Sequence, residues 1–200
     1  MQQNNQQLTA KSKLSFRSIL PYALIATLIF IIALVTGLLT PLHLTGSTME
    51  DLKQLIKPLE AFNAGTLFLV IFINNAIKAL GAIVFGILLG LPSIFFIGTN
   101  GFILGIVVSA LKADAGYGVI IASLAPHGII EIPLLILSTS LGMSIGIESL
   151  RYLMKQRSAV KTQIRLCAKF YVKWILTGLL IAALIEVFLT PLVVSLVGSK

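Results

Sequence analysis

The chain has 200 residues, of which 57% are hydrophobic and 11% charged, with a mean hydropathy of +1.01. Soluble domains carry roughly 25% charged residues, so this composition excludes a water-soluble globular domain and points to lipid as the solvent. The net charge of +8 does not indicate nucleic acid, because most of that net charge sits in one stretch between apolar runs.

The lone cysteine, Cys167, excludes an internal disulfide and a cysteine-rich metal site. No P-loop, G-x-S-x-G or H-E-x-x-H pattern is present, so no metal, cofactor or catalytic residue is assigned. The apolar runs lack the strict alternation of a membrane β-barrel. The expected fold is all-α: a polytopic transmembrane helical bundle, about five spans, in one domain over residues 19–200.

In chain order, residues 1–18 are polar and rich in Gln and Asn, which predicts a disordered cytoplasmic tail. The first span covers 19–39 and stops at Thr40-Pro41. A signal peptide would have a shorter apolar core and a small-residue cleavage site, so this run is read as retained. The loop 40–63 follows. Thr48 and Asp51 resemble a capping box, and Leu52, Leu55, Ile56 and Leu59 share one face, which predicts a short interfacial amphipathic helix. The second span, 64–91, carries Asn74, Asn75 and Lys78 in its middle; a break there would add a sixth segment. The third span is 94–111 and the fourth 119–147. A basic segment, 151–173, is expected to form a cytoplasmic helix, and the fifth span is 174–197.

The tail carries three Lys or Arg residues and 148–173 carries seven. The positive-inside rule places both in the cytoplasm, which needs an even number of spans between them; four are counted. A multi-pass cell-membrane protein with N-terminus inside and C-terminus outside follows. Arg157, Lys161, Arg165, Lys169 and Lys173 are spaced by four, so on a helix they form one slanting stripe. The stripe serves as a topology signal and a contact for anionic lipid, or as a dock for an acidic partner.

Several polar residues fall at membrane depth. Lys78, Glu131 and Glu186 lie near the midpoints of their spans, and His127 stands one turn from Glu131. Intramembrane charges persist when they pair or face a cavity, so Lys78 is expected to pair with Glu131 or Glu186. Pro126 and Pro133 free the carbonyls of Ala122 and Ile129, for which His127, Asn75, Asn100 or a water would be donors. The group Asn74, Asn75, Lys78, Asn100, His127, Glu131 and Glu186 is thus either a buried network that holds a kinked fourth span or a site that binds or moves something. Gly86/Gly90, Gly101/Gly105 and Gly142/Gly146 are G-x-x-x-G pairs, which support a tight bundle or a dimer through one of those faces.

"INNAIKAL", "TNGFILG" and "PHGIIEIP", in this order, resemble the stage II sporulation protein M family over most of residues 20–197. The resemblance singles out Asn75, Asn100, Gly101, Gly105, His127, Gly128, Glu131 and Pro133. It implies a membrane scaffold without catalytic activity whose partners are membrane lipids and other membrane or envelope proteins. In spore formers the family member works at the septal membrane with two peptidoglycan-degrading partners during engulfment. The alternative from the residues is a transporter or channel component using Lys78, His127, Glu131 and Glu186. An intramembrane hydrolase is weaker, since no second carboxylate motif or metal-ligand set accompanies Glu131.

Overall fold

The computed structural model describes residues 16–41, 62–114, 117–156 and 158–198. The expected amphipathic helix at 48–59, most of the 1–18 tail and Arg157 lie outside the described residues, as does the side chain of His127. Among the described residues, five helices are long and apolar enough to cross a membrane. They are α1 (Phe16–Leu39), α2 (Ala64–Val84), α3 (Leu91–Asp114), α4 (Tyr117–Leu153) and α5 (160–198).

Local chemistry sets the ends of these helices. The Asn63 side chain accepts the Thr66 amide at 2.9 Å and caps the start of α2. The second span runs unbroken past Asn74, Asn75 and Lys78, then tightens into a 3₁₀ turn at Phe85–Ile87. A three-residue turn leads into α3, with Leu89 at φ 60° and Gly90 at φ 76°. Two buried hydroxyls bond carbonyls of their own helix, Ser138 to Leu134 and Ser140 to Ile136. Lipid offers no other partner.

The α4–α5 connection differs from the expected loop and separate basic helix. Helix α4 runs to Leu153 and closes in a Schellman turn: Gln156 N–H donates to Arg151 O and Lys155 N–H to Tyr152 O. Lys155 takes the left-handed position at φ 55°, usually a glycine's place. Glu148 fastens the turn, accepting the Ala159 amide at 2.8 Å and pairing with Arg151 at 2.7 Å. Helix α5 then starts at Val160 and continues through π-helical turns at Tyr171–Ile175 and Ile185–Leu189 without a break. Its first turns are amphipathic. Cys167 and Tyr171 are buried, while Lys161, Arg165, Lys169 and Lys173 are exposed. The two stripes run in parallel, offset by two residues, or about 200° around the helix.

Helix α4 is the hub and packs against the other four helices. Half of its span is buried, against 17–28% for the others. One core joins Ala79, Ile83, Leu141, Ile145, Ile175 and Leu179 of α2, α4 and α5; a second joins Phe30, Ile97 and Leu135 of α1, α3 and α4.

All three G-x-x-x-G pairs are used inside the chain. A Cβ at Gly101 or Gly105 would strike the Phe30 or Leu34 carbonyl of α1. Gly86 of the 3₁₀ turn meets Gly142 of α4 backbone to backbone, and Gly146 meets the Leu89–Gly90 turn. At the same crossing Ser93, fully buried, donates to the Ala82 carbonyl at 2.6 Å and ties the start of α3 to α2.

Candidate functional site

Asn75 and Asn100 stand at the middle of the spans Ala64–Ile87 and Leu91–Leu111. Asn75 is buried, and its amide donates to Glu131 Oε2 of α4 at 3.0 Å. That bond sets Glu131 at mid-span depth. Asn74, next along α2, donates to Asn75 Oδ1 at 3.4 Å, so an amide–amide–carboxylate chain runs from the outer surface of α2 inward. Asn75, Lys78, Asn100, Glu131, Ala79, Leu135 and Leu179 enclose a cavity of about 10 Å³. A space of that size takes one water at most.

The expected ion pair is not formed. Lys78 lines the small cavity with Glu131, but among the described residues no salt bridge joins it to Glu131 or Glu186. The reason is angular: three residues turn the helix by 300°, so Lys78 lies about 60° round α2 from inward-facing Asn75, on the exposed side. Glu186 belongs to another layer, seven residues beyond Leu179 on α5, where its carboxylate accepts the Thr190 hydroxyl at 3.2 Å. Asn100 does not serve the carbonyls freed on α4. Its amide donates to Phe96 O of its own helix at 2.8 Å. Helix α4 continues through both Pro126 and Pro133, and His127 lies on it one turn before Glu131.

On the other side of Glu131 opens a cleft of about 760 Å³ between α1, α3 and α4. Its walls are apolar, with Phe30 and Leu34 from α1, Ile103 from α3 and Ile121 and Ile129 from α4. Among the described residues, Asn100 and Glu131 are the polar side chains lining it, and both also line the small cavity. Gly128 lines the cleft too, and a Cβ there would meet only the Ile132 side chain at 3.5 Å. This glycine leaves room rather than allowing a backbone crossing. Among the described residues, no group of three or more His, Cys, Asp or Glu side chains is placed to hold a metal ion.

The family model for stage II sporulation protein M matches residues 25–191. The chain belongs to the stage II sporulation protein M family. No curated protein and no solved structure matches it.

The matched stretch of this stage II sporulation protein M family chain begins within the first span, ends within the fifth and covers the three between them. The motif residues divide between two places. Asn75, Asn100, Gly128 and Glu131 surround the polar layer and the cleft, and Pro133 lines the cleft beside them. Gly101 and Gly105 serve the α1–α3 crossing.

Some anchors escaped the sequence reading. The Tyr171 hydroxyl donates to Ala76 O of α2 at 2.8 Å, and Gln163 donates to Ser144 Oγ of α4 at 2.9 Å. Each fixes the start of α5 to a neighbour. Their signal was present as a four-residue series, Gln163, Cys167 and Tyr171, running between the positive charges. The exposed stripe itself gathers at this end of the bundle, where the Lys173 ammonium also lies 5.2 Å from the Trp174 ring.

Proposed function

We propose that this family member is a non-catalytic membrane assembly protein that recruits partner proteins by docking one of their transmembrane helices in the cleft between α1, α3 and α4. The observation that carries this reading is the arrangement around Glu131. Its carboxylate sits in the wall between a large apolar cleft and a cavity of about 10 Å³. The small cavity gives no room for a substrate, whereas the cleft offers apolar walls with hydrogen-bonding groups at mid-span. A helix carrying one donor residue halfway along it is the matching ligand, because polar contacts between membrane helices give both affinity and register. The same geometry weighs against the transporter reading, since the wider space beyond the polar layer has mainly apolar walls.

The proposed orientation places the 1–18 tail and the α4–α5 turn in the cytoplasm, which brings the stripe of Lys161, Arg165, Lys169 and Lys173 to anionic headgroups. In spore formers such a protein would serve cell-envelope remodelling. Cysteine at position 160 should resist an impermeant thiol reagent in intact cells and react after lysis. Labelling in intact cells reverses the orientation.

The docking reading is tested by filling the cleft. Ile121→Trp and Gly128→Phe should leave the protein membrane-inserted, yet abolish co-isolation of its partners and complementation of a deletion strain. Leu28→Trp, an equal insult at an exposed position outside the cleft, should be harmless. Complementation by both cleft variants would sink the reading.

A further inference from the structure

One face of α2 is largely exposed on the outside of the bundle. Along it, Val70, Asn74, Ile77, Gly81 and Val84 follow one another at steps of four, three, four and three. This is the spacing of a coiled-coil seam, in which apolar knobs recur every 3.5 residues on average. Val70, Ile77 and Val84 are 38%, 65% and 54% exposed, and Asn74 is exposed with them. A Cβ at Gly81 would meet only its own helix's Phe85 ring, at 3.8 Å, so the surface before it is open.

An apolar face at these depths is satisfied by lipid. Asn74 is not. It lies near mid-span, where acyl chains provide no hydrogen-bonding groups. A primary amide has two donors and two acceptor positions, and the hydrogen bond described for Asn74 is the long one to Asn75. An amide is also its own complement. A two-fold axis along the membrane normal sets Asn74 of one copy at the same depth as Asn74 of the other, with donor facing acceptor in both directions. In a parallel two-stranded seam a single buried Asn fixes register and pairing in this way. Lys78 does not oppose the arrangement. It stands at the flank of the seam and lines the inner cavity with Asn75 and Glu131.

We infer that α2 is a homodimerisation helix, whose seam of Val70, Asn74, Ile77, Gly81 and Val84 packs in parallel against the same seam of a second copy with the Asn74 amides paired. The pairing would extend the chain Asn74–Asn75–Glu131 across the dimer, joining two polar layers. The inference is independent of the docking reading, because the seam and the cleft lie on different helices.

The test is cysteine scanning of the full chain in native membranes. Single cysteines at Val70, Ile77 and Val84 should form disulfide-linked dimers on oxidation. Cysteines at Leu69 and Leu80, exposed on α2 but roughly 80–100° off the seam, should not. Cys167 is fully buried and stays silent. In liposomes, Asn74→Leu should weaken self-association measured by energy transfer about tenfold, and Asn74→Gln should restore part of it. The scan keeps Asn74 intact, so it decides the matter even if the Leu variant expresses poorly. Equal cross-linking on and off the seam, no cross-linking, capture of a different polypeptide in place of a second copy, or undiminished pairing of Asn74→Leu would each overturn the assignment.

Discussion

Gly142→Ala is expected to destabilise the protein by about 2–3 kcal/mol. A Cβ at Gly142 falls against the Ala82 carbonyl and the Ser93 hydroxyl, the two partners of the hydrogen bond that ties α3 to α2. A backbone carbonyl has no rotamer to escape through, so α4 must move away from α2. That movement opens the neighbouring Gly86 and Gly146 contacts and leaves Ser93 and Ala82 poorly joined. Gly98→Ala is the control. It is another glycine within a span, but its Cβ would meet only the Ile29 side chain at 3.8 Å, an ordinary contact. Unfolding in detergent should separate the two variants clearly. Equal stability of Gly142→Ala and the parent would mean that the α2–α4 crossing is looser than its geometry.

These glycines also show what the sequence reveals and where it stops. G-x-x-x-G spacing announces close approach, but it cannot say to what. Gly86 and Gly142 meet each other only because the α2–α3 turn brings the end of α2 beside α4. The spans themselves were legible from length and hydropathy, since lipid requires each crossing to satisfy its backbone internally. The start of α5 was harder to read. Five positive charges at steps of four, Arg157 to Lys173, suggested a separate surface helix, although half-buried Gln163 and buried Cys167 and Tyr171 form the inner stripe of one continuous span.

At the polar layer, residue type and depth were legible, but direction was not. Asn75 and Lys78 lie within one turn of each other. Their roles diverge because about 60° of rotation takes one into the bundle and leaves the other at its edge. Depth likewise separated Glu186 from the layer, because the long α5 extends well past Leu179 before it ends. The cleft depends on three helices diverging, which no local pattern encodes.

Glu131 is where the remaining large effect is expected, and two substitutions separate what its carboxylate does. Glu131→Gln keeps the length of the side chain and an oxygen that can accept the Asn75 amide, which now donates at 3.0 Å. It should fold with nearly parental stability. Glu131→Leu removes the acceptor and leaves a buried amide in an apolar layer, a loss of about 1–3 kcal/mol. Asn75→Leu should lose a similar amount. The double variant Asn75→Leu/Glu131→Leu should recover much of it, because removing both partners of a buried hydrogen bond costs far less than removing one. Unfolding of the four proteins in detergent gives the coupling directly, and strictly additive losses would show that the pair does not hold α4 to α2. Complementation of a deletion strain then adds the functional half. If Glu131 presents a hydrogen-bond acceptor to a docked helix, Gln should still complement, whereas Leu should fail even when stabilised by Asn75→Leu. A Gln variant that folds like the parent but does not complement would show that the negative charge itself is required, and the docking account would have to give way to one in which the carboxylate moves a proton or an ion.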